Sequence, residues 1–384
     1  MLRKINRILL GAVMLFLSFA TPVYAIPRPD VSAECAALYC PLTGEFLYGK
    51  NASRRQPPAS TTKIMTSLLT CESGILAQTV TVSQNTADIE GSSMGLRAGD
   101  SVTVRGLLYG MLLTSGNDAA NAAAEAIDGS CEAFVGRMNV RASAMGLRDT
   151  HFSNPSGLPA DGHYTTARDL ALLTAQALKN ELFAAVCSLE NAEVVYGNPP
   201  YRRTLSNHNR LLSEYDGCIG VKTGYTKAAG RCLVSAAKRN GVTLICVTLN
   251  DPDDWADHRA LLDYGFSSVR TRLFVPDTRD VSVPVTGGSR KSVSVRCVRG
   301  TAVGADSAVR TELLLPPFVY APVRKGDIIG YAAVYCGGEQ LEKLPLLADC
   351  DALPSESGPA HEGRTRKTNL FDRILKGIAF WKKK

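Results

Sequence analysis

The stretch that decides the fold is residues 57–72, which read Pro-Pro-Ala-Ser-Thr-Thr-Lys-Ile-Met-Thr-Ser-Leu-Leu-Thr-Cys-Glu. Two prolines precede an apolar segment, which predicts a helix from Ser60 to about Glu72. In a helix, Ser60 and Lys63 share one face because they lie three residues apart. A single Ser-x-x-Lys pattern is more often a helix N-terminus with a solvated lysine, so its meaning depends on the rest of the chain.

Two further motifs follow at domain-scale spacing. Ser115-Gly116-Asn117 stands between predicted helices at Gly106–Leu113 and Asn117–Ile127, and Lys222-Thr223-Gly224 ends a predicted strand. Each motif alone is common in turns and strand ends. The ordered set supplies a hydroxyl nucleophile, two amines, a second hydroxyl and an amide. It predicts acyl transfer by a serine that is activated without histidine.

The chemistry requires a proton acceptor for Ser60, and a lysine accepts a proton only when it is neutral. We expect burial and the nearby charge of Lys222 to lower the pKa of Lys63. The backbone N–H groups of Ser60 and Tyr225 are the predicted oxyanion donors. We expect Lys222 and Thr223 to hold a substrate carboxylate, and Gly224 to let the substrate backbone approach the strand.

Composition narrows the class of protein. The chain has 384 residues, of which 45% are hydrophobic and 21% charged, as in globular proteins. The formal net charge is +7, but residues 1–25 carry +3 and residues 362–384 carry +6, so the body between them is near −2. A nucleic-acid-binding protein needs a basic face on its folded body, and we therefore expect no nucleic-acid partner.

Both ends of the chain indicate export and membrane contact. Residues 1–25 have basic residues, an apolar run of about a dozen residues and a small-x-small site, which predicts a signal peptide with the mature chain beginning at Ile26. The alternative is a retained N-terminal anchor. Residues 367–384 place apolar side chains at steps of three and four among lysines and arginines, which predicts an amphipathic helix on an anionic membrane surface. The alternative is a helix packed on the protein body.

Between the ends, the elements predict an α+β protein. A strand hairpin over 33–50, several helices and three strands at Ile219–Thr223, Arg231–Lys238 and Val242–Thr248 indicate an antiparallel sheet flanked by helices. Residues 26–275 form the predicted catalytic domain. Period-two alternation over 276–350 predicts a small all-β domain, and residues 351–366 are a predicted linker.

The eleven cysteines and five histidines have no metal-ligand spacing, so we expect no metal and no cofactor. The cysteines lie mostly in apolar runs and are predicted to be small buried side chains. A Cys35–Cys40 disulfide is an open alternative.

The text around the three motifs resembles the low-molecular-mass D-alanyl-D-alanine carboxypeptidases of the penicillin-binding protein and serine β-lactamase superfamily. The resemblance covers roughly residues 30–270 and is carried by the segments 57–63, 114–120, 152–158, 162–167 and 220–226. It implies a β-lactamase/transpeptidase-like fold with a helical subdomain. The later β domain and the C-terminal helix also match the layout of this family.

The resemblance implies a peptidoglycan stem peptide as substrate and β-lactam antibiotics as mimics of it. Ser60 would attack the carbonyl between two terminal D-alanines, and Lys63 would accept its proton. Ser115, assisted by Lys222, would pass a proton to the leaving D-alanine. Asn117 would orient the substrate amide and Lys63.

Two departures from the family concern the strand side of the site. His208 stands where some relatives have an arginine before the asparagine that matches Asn209, so the substrate carboxylate needs another cation, for which Arg210 is the candidate. Tyr225 replaces a histidine, and only its backbone enters the oxyanion argument. The alternatives are a β-lactamase, a D,D-endopeptidase and a non-catalytic wall-binding protein. The first would need a deacylating carboxylate, and no Glu-x-x-Leu-Asn-like segment precedes Lys222.

Overall fold

The computed structural model of the chain describes residues 27–355. The predicted signal peptide, most of the predicted linker and the predicted helix at 367–384 lie outside the described residues. Packing divides the chain into two units. The first comprises the described residues up to Phe274 together with Thr301–Arg310 and Tyr335–Leu341. The second comprises Val275–Gly300, Thr311–Val334 and the described residues from Glu342 onward.

The secondary structure of the described residues begins with a strand hairpin and then alternates helices with strands. The α-helices are α1 (Lys63–Glu72), α2 (Gln84–Ala87), α3 (Val104–Leu112), α4 (Asn117–Asp128), α5 (Cys131–Ala144), α6 (Ala167–Ala177), α7 (Glu181–Cys187), α8 (Leu211–Glu214) and α9 (Asp254–Ser268). The strands of the first unit up to Phe274 are β1 (Cys35–Cys40), β2 (Glu45–Lys50), β3 (Thr79–Thr81), β4 (Ser101–Thr103), β5 (Asn191–Gly197), β6 (Pro200–Ser206), β7 (Cys218–Thr226), β8 (Gly230–Arg239), β9 (Val242–Leu249) and β10 (Thr271–Phe274). The later strands are β11 (Ser282–Thr286), β12 (Ser292–Cys297), β13 (Thr301–Gly304), β14 (Val309–Leu314), β15 (Val319–Tyr320), β16 (Ile328–Cys336) and β17 (Glu339–Ala348).

The first unit is built on a five-stranded antiparallel sheet with the order β2-β1-β9-β8-β7. Asn240 and Gly241 join β8 to β9, and both have positive φ angles, 50° and 81°, as a tight hairpin turn requires. Arg239 and Val242 face each other as the first pair of that hairpin. The sheet places β7 at an open edge, and the third sequence motif lies on this strand.

Helices cover both faces of this sheet. On one face, Ala37, Val234 and Val247 belong to a core that includes α1 and most of the other helices. On the other face, Leu38, Leu233 and Leu244 pack with Leu261 and Leu262 of α9. The predicted α+β class is therefore confirmed. A second, four-stranded sheet with the order β3-β4-β5-β6 belongs to the same unit.

The second unit is an all-β structure, as the period-two pattern predicts. Its six-stranded sheet has the order β14-β16-β17-β12-β11-β15. Alternate residues of the strands point inward, so that Val283, Val293, Val295 and Leu346 form the core of this unit.

All eleven cysteines are free thiols in the structure. Cys35 and Cys40 occupy opposite ends of β1, a separation of about 16 Å at the usual rise per strand residue. The open alternative of a Cys35–Cys40 disulfide is therefore wrong, because bridged Cα atoms lie within about 7 Å of each other.

Within residues 27–355, no single helix has the length and apolar character of a membrane span. Helices α6 and α7, which are joined at a sharp bend, reach that length and apolar character only when they are taken together.

Candidate active site

Ser60 lies in a turn of 3₁₀ helix, Ala59–Thr62, that leads directly into α1. The predicted single helix is thus two helices of different type with Ser60 at the start. Ala59 has a φ of 48°, an uncommon angle for a residue with a side chain, and it aims the turn at the cleft. Ser60 is half-buried, whereas every residue of α1 from Lys63 to Thr70 is buried.

Three oxygen atoms surround the amine of Lys63, which has no solvent exposure. Lys63 Nζ lies 3.0 Å from Ser60 Oγ, 2.7 Å from Asn117 Oδ1 and 2.5 Å from the Ser156 carbonyl oxygen. The last two oxygens can only accept hydrogen bonds, so they take two N–H groups of the amine. In a neutral amine, the remaining lone pair then points at the Ser60 hydroxyl, which can donate to it.

The electrostatics of the site favour that neutral form. Burial lowers the pKa of Lys63 well below its ordinary value, and the positive charge of Lys222 lowers it further. The carboxylate of Asp118 acts in the opposite direction and does not cancel the effect. The amine next to Ser60 is therefore suited to accept a proton.

Asn117 joins the amine to the loop between α2 and β4. Its Oδ1 accepts from Lys63, and its Nδ2 donates to the Glu90 carbonyl at 2.7 Å. The Asn117 backbone N–H donates to the Ser92 carbonyl at 2.7 Å. Ser115, two residues before, is buried and has a φ of 60°. Such a conformation costs free energy and persists where the surroundings fix it, which is common at functional sites.

The side chain of Asp118 also holds this loop in place. Its carboxylate accepts hydrogen bonds from Ser93 Oγ at 2.6 Å and from the backbone N–H groups of Met94 and Leu96 at 3.0 and 2.9 Å. Asp118 is completely buried, and these donors balance its charge. The result is a rigid wall beside Asn117.

Ser156 and His163 contribute to the site, and neither belongs to the three motifs. Asn154 Oδ1 accepts from the backbone N–H and the Oγ of Ser156, which fixes the carbonyl that faces the amine. Buried His163 accepts from the Ser153 N–H at Nδ1 (3.0 Å), so Nε2 carries the proton and donates to Thr62 Oγ1 (2.8 Å). Burial lowers the pKa of His163 to about 4 and keeps it neutral. The available signals were the segments 152–158 and 162–167, which carry the resemblance and contain Ser156 and His163 but received no role.

Strand β7 forms the opposite wall. A Cβ atom added to Gly224 would lie 3.1 Å from the Ser60 nitrogen, so the strand passes directly beside the predicted oxyanion donor. Lys222 is buried, and burial lowers its pKa to about 7. Lys222 Nζ donates to the Thr223 carbonyl at 2.8 Å and makes no direct bond to Ser115 among the described residues. The expected assistance to Ser115 is thus electrostatic in this arrangement.

Between the two walls lies a cleft of about 290 Å³. The residues that line it are Ser60, Ser92, Ser115, His208, Thr223, Gly224, Tyr225, Arg231, Asp254 and Trp255. Arg210, the candidate cation for a substrate carboxylate, is not among them. Its guanidinium pairs with Glu214 at 2.8 Å, one helical turn away. Arg231 lies in the cleft instead.

No cluster of three or more potential metal ligands occurs in the described part of the chain. Next to the Ser60 hydroxyl lies the amine of Lys63, which is bonded to the amide of Asn117.

Two known families match consecutive parts of the chain. Residues 23–253 match the family described as D-alanyl-D-alanine carboxypeptidase, and residues 273–352 match the C-terminal domain of penicillin-binding protein 5. The chain is 33% identical over 371 residues to D-alanyl-D-alanine carboxypeptidase DacF of Bacillus subtilis, covering 91% of this chain and 95% of that one.

Solved structures are also similar to this chain. The D-alanyl-D-alanine carboxypeptidase DacD from Francisella tularensis superposes with a TM-score of 0.62 at 28% identity, covering 88% of this chain and 98% of its own. The Streptomyces K15 DD-transpeptidase superposes with a TM-score of 0.59 at 35% identity, covering 63% of this chain and all of its own.

Proposed function

Because the chain belongs to the D-alanyl-D-alanine carboxypeptidase family and is a serine-type hydrolase, we propose that it removes the terminal D-alanine from peptidoglycan stem peptides through Ser60. The observation that carries the proposal is the environment of Lys63 Nζ. Two acceptor-only oxygens and the Ser60 hydroxyl surround the buried amine, as a neutral general base requires.

In the proposed reaction, Ser60 Oγ attacks the carbonyl between the two D-alanines while its proton moves to Lys63. The oxyanion forms beside the N–H groups of Ser60 and Tyr225. The C–N bond then breaks, and the leaving amine takes a proton by way of Ser115, next to the charge of Lys222. A water molecule hydrolyses the ester on Ser60, which releases the shortened peptide and restores the hydroxyl.

Asn117 has the role of a positioning residue in this scheme. Its carbonyl oxygen holds the amine of Lys63, and its amide nitrogen is bound to the Glu90 carbonyl, so the side chain is fixed at both ends. Thr223, Lys222 and Gly224 form the edge along which the substrate backbone would lie. A β-lactam would acylate Ser60 in the same way as the peptide.

The β-lactamase alternative finds less support. Rapid release of an acyl group needs a carboxylate that activates water near Ser60. The one carboxylate lining the described cleft is Asp254, and it is paired with Arg231 at 2.7 Å. The endopeptidase alternative stays open, because a D-alanyl-D-alanine endopeptidase of Pseudomonas aeruginosa is 31% identical over 254 residues. Release of D-alanine from a monomeric pentapeptide, compared with cleavage of a cross-linked dimer, distinguishes the two activities.

We also propose that the protein is exported, that residues 26–275, 276–350 and 351–366 serve as catalytic domain, β domain and linker, and that residues 367–384 bind the outer surface of the cytoplasmic membrane. The basic and apolar pattern of 367–384 supports the last point. Sedimentation with anionic vesicles tests it: a chain from Ile26 to Lys384 should bind, and one that ends at residue 366 should not.

Mass spectrometry after incubation with a β-lactam tests the nucleophile. The wild-type protein should gain the mass of one β-lactam, and Ser60→Ala should gain none. Ser115→Ala is the matched variant, because it removes a hydroxyl from the same cleft and leaves Ser60 in place. Labelling of Ser60→Ala would overturn the proposal.

A further inference from the structure

A guanidinium lies in the wall of the catalytic cleft, at a position to which the motifs assign no role. Arg231 is on β8, directly opposite Tyr225 of β7 in the strand register. Directly opposed residues of an antiparallel pair point to the same face of the sheet. Arg231 and Tyr225 therefore project together at the end of β7 that passes Ser60, and both line the cleft.

The first turn of α9 holds this guanidinium in place. Arg231 Nη2 lies 2.7 Å from Asp254 Oδ1, and the Arg231 guanidinium carbon is 5.9 Å from the centre of the Trp255 ring. The Asp254 side chain is only 5% exposed, whereas 45% of the Arg231 side chain is exposed. Asp254 is thus the buried partner of the pair. The ion pair uses one of the three guanidinium nitrogens of Arg231, so the other N–H groups of Arg231 remain free to donate.

The other cations near the cleft are less suited to bind an anion. Lys222 has a pKa of about 7 and is already bound to the Thr223 carbonyl. Partial burial and the charge of Lys222 both lower the pKa of His208, which leaves its imidazole neutral at pH 7. Arg210 does not line the cleft. Arg231 is the permanent positive charge among the residues that line the cleft.

We propose that Arg231, positioned by Asp254 and Trp255, binds the free C-terminal carboxylate of the substrate and so makes the enzyme select peptides with an unblocked end. The inference rests on the proposed carboxypeptidase function and names the residue that confers its specificity. The planar guanidinium suits this task because two parallel N–H groups match the two oxygens of a carboxylate. In this proposal Arg231, and not Arg210, is the cation that binds the substrate carboxylate.

The test compares two substrates that differ only at the terminus: an N-acylated D-Ala-D-Ala peptide and its C-terminal carboxamide. The measured quantity is kcat/KM for the peptide with the free carboxylate divided by kcat/KM for the carboxamide. In Arg231→Gln this ratio should fall about tenfold to a hundredfold, the usual worth of a charged hydrogen bond. Most of the fall should appear in kcat/KM for the carboxylate peptide. Arg231→Lys keeps the charge without the planar fork and should give an intermediate ratio.

Arg210→Gln is the matched control, because Arg210 also lies near the Trp255 ring, at 5.8 Å, but outside the cleft. Its ratio should equal that of the wild type. Equal losses on both substrates in Arg231→Gln would show a structural role and overturn the inference, while acylation of Ser60 by a β-lactam would leave the proposed function intact. A wild-type protein that no β-lactam acylates would instead contradict the proposed function itself.

Discussion

The helix wall of the cleft, around Lys63, and the strand wall, around Lys222, each bury a lysine completely but surround it differently. Lys63 Nζ has three oxygen partners from three separate segments of the chain. Lys222 Nζ donates to one carbonyl, that of the next residue. Three segments of the chain thus hold the first amine in one position, whereas the second amine has one hydrogen-bond partner among the described residues.

This difference indicates that the two walls affect the reaction in different ways. The helix wall is built from buried, mutually bonded groups, and changes there should affect every substrate alike. The strand wall includes exposed Tyr225 and half-exposed Arg231, and changes there should alter which substrates react. Substitutions at Lys63 and Gly157 test the helix wall, and a substitution at Lys222 tests whether the strand wall depends on its lysine in the same way, in order of decreasing expected effect.

The largest effect is expected from Lys63→Arg. Arginine carries a permanent positive charge and does not lose its proton in proteins, so it cannot act as a base. We expect the rate of Ser60 acylation to fall by about a thousandfold or more, with the peptide and with a β-lactam alike. Mass spectrometry of the acyl-enzyme in samples quenched at successive times measures both acylation rates.

Lys63→Met serves as the companion variant, because a methionine side chain can neither carry a charge nor accept a proton. If charge alone were needed at this position, Lys63→Arg would stay within about tenfold of the wild type and Lys63→Met would not. That result would contradict the neutral-base mechanism.

A smaller effect, on folding as well as activity, is expected from Gly157→Ala. Gly157 has a φ of 92°, and a Cβ atom there would lie 1.9 Å from the Ala59 carbonyl oxygen. The turn that carries Ser60 or the loop that carries the Ser156 carbonyl must then move. We expect a loss of about 3 kcal/mol or more in the free energy of unfolding, measured with urea, and slower acylation by every substrate.

Gly44→Ala separates the clash from the backbone strain. Gly44 also has a positive φ, 74°, but no atom lies within 4 Å of its added Cβ. Its cost should be the conformational one alone, about 1 to 2 kcal/mol, without a change in acylation. Equal losses in the two variants would show that close packing against Ala59 is unimportant.

Much of this site could be predicted from the sequence because its chemistry is concentrated in three short motifs. Ser60, Lys63 and Asn117 meet within hydrogen-bond distance, and Ser115 shares the cleft with Ser60 and β7. The apolar pattern of α1 and the Asn240-Gly241 turn also indicated the helix and the hairpin that flank the site. These are local signals, set by spacing of a few residues.

The remainder depends on contacts between distant segments, which periodicity does not reveal. The Ser156 carbonyl reaches Lys63 across 93 residues, and Arg231 meets Asp254 across 23. Helix α5 was missed because charged and polar residues interrupt its apolar ones, and only Phe134, Met138 and Ala142 are buried. The hairpin of β5 and β6 was missed because much of it is exposed and its strands carry several charged residues.

The smallest effect, and the sharpest contrast between the two walls, concerns stability in Lys222→Met. The pKa of Lys222 is about 7 in the folded protein against an ordinary 10.5, so between these values the unfolded chain binds more protons. Wild-type stability should therefore rise with pH across this window. A methionine in place of Lys222 would bury no charge, and we expect the variant to melt about 3 to 5 °C higher at pH 6, with the gain vanishing near pH 10.

Lys227→Met is the control for this measurement, because Lys227 is exposed in the turn that joins β7 to β8. It should leave the melting temperature nearly unchanged at both pH values. Lys63→Met should give no gain either, since it leaves Asn117 Oδ1 and the Ser156 carbonyl buried without their donor. A loss of stability in Lys222→Met at pH 6 would mean that the strand wall, like the helix wall, depends on its lysine for folding.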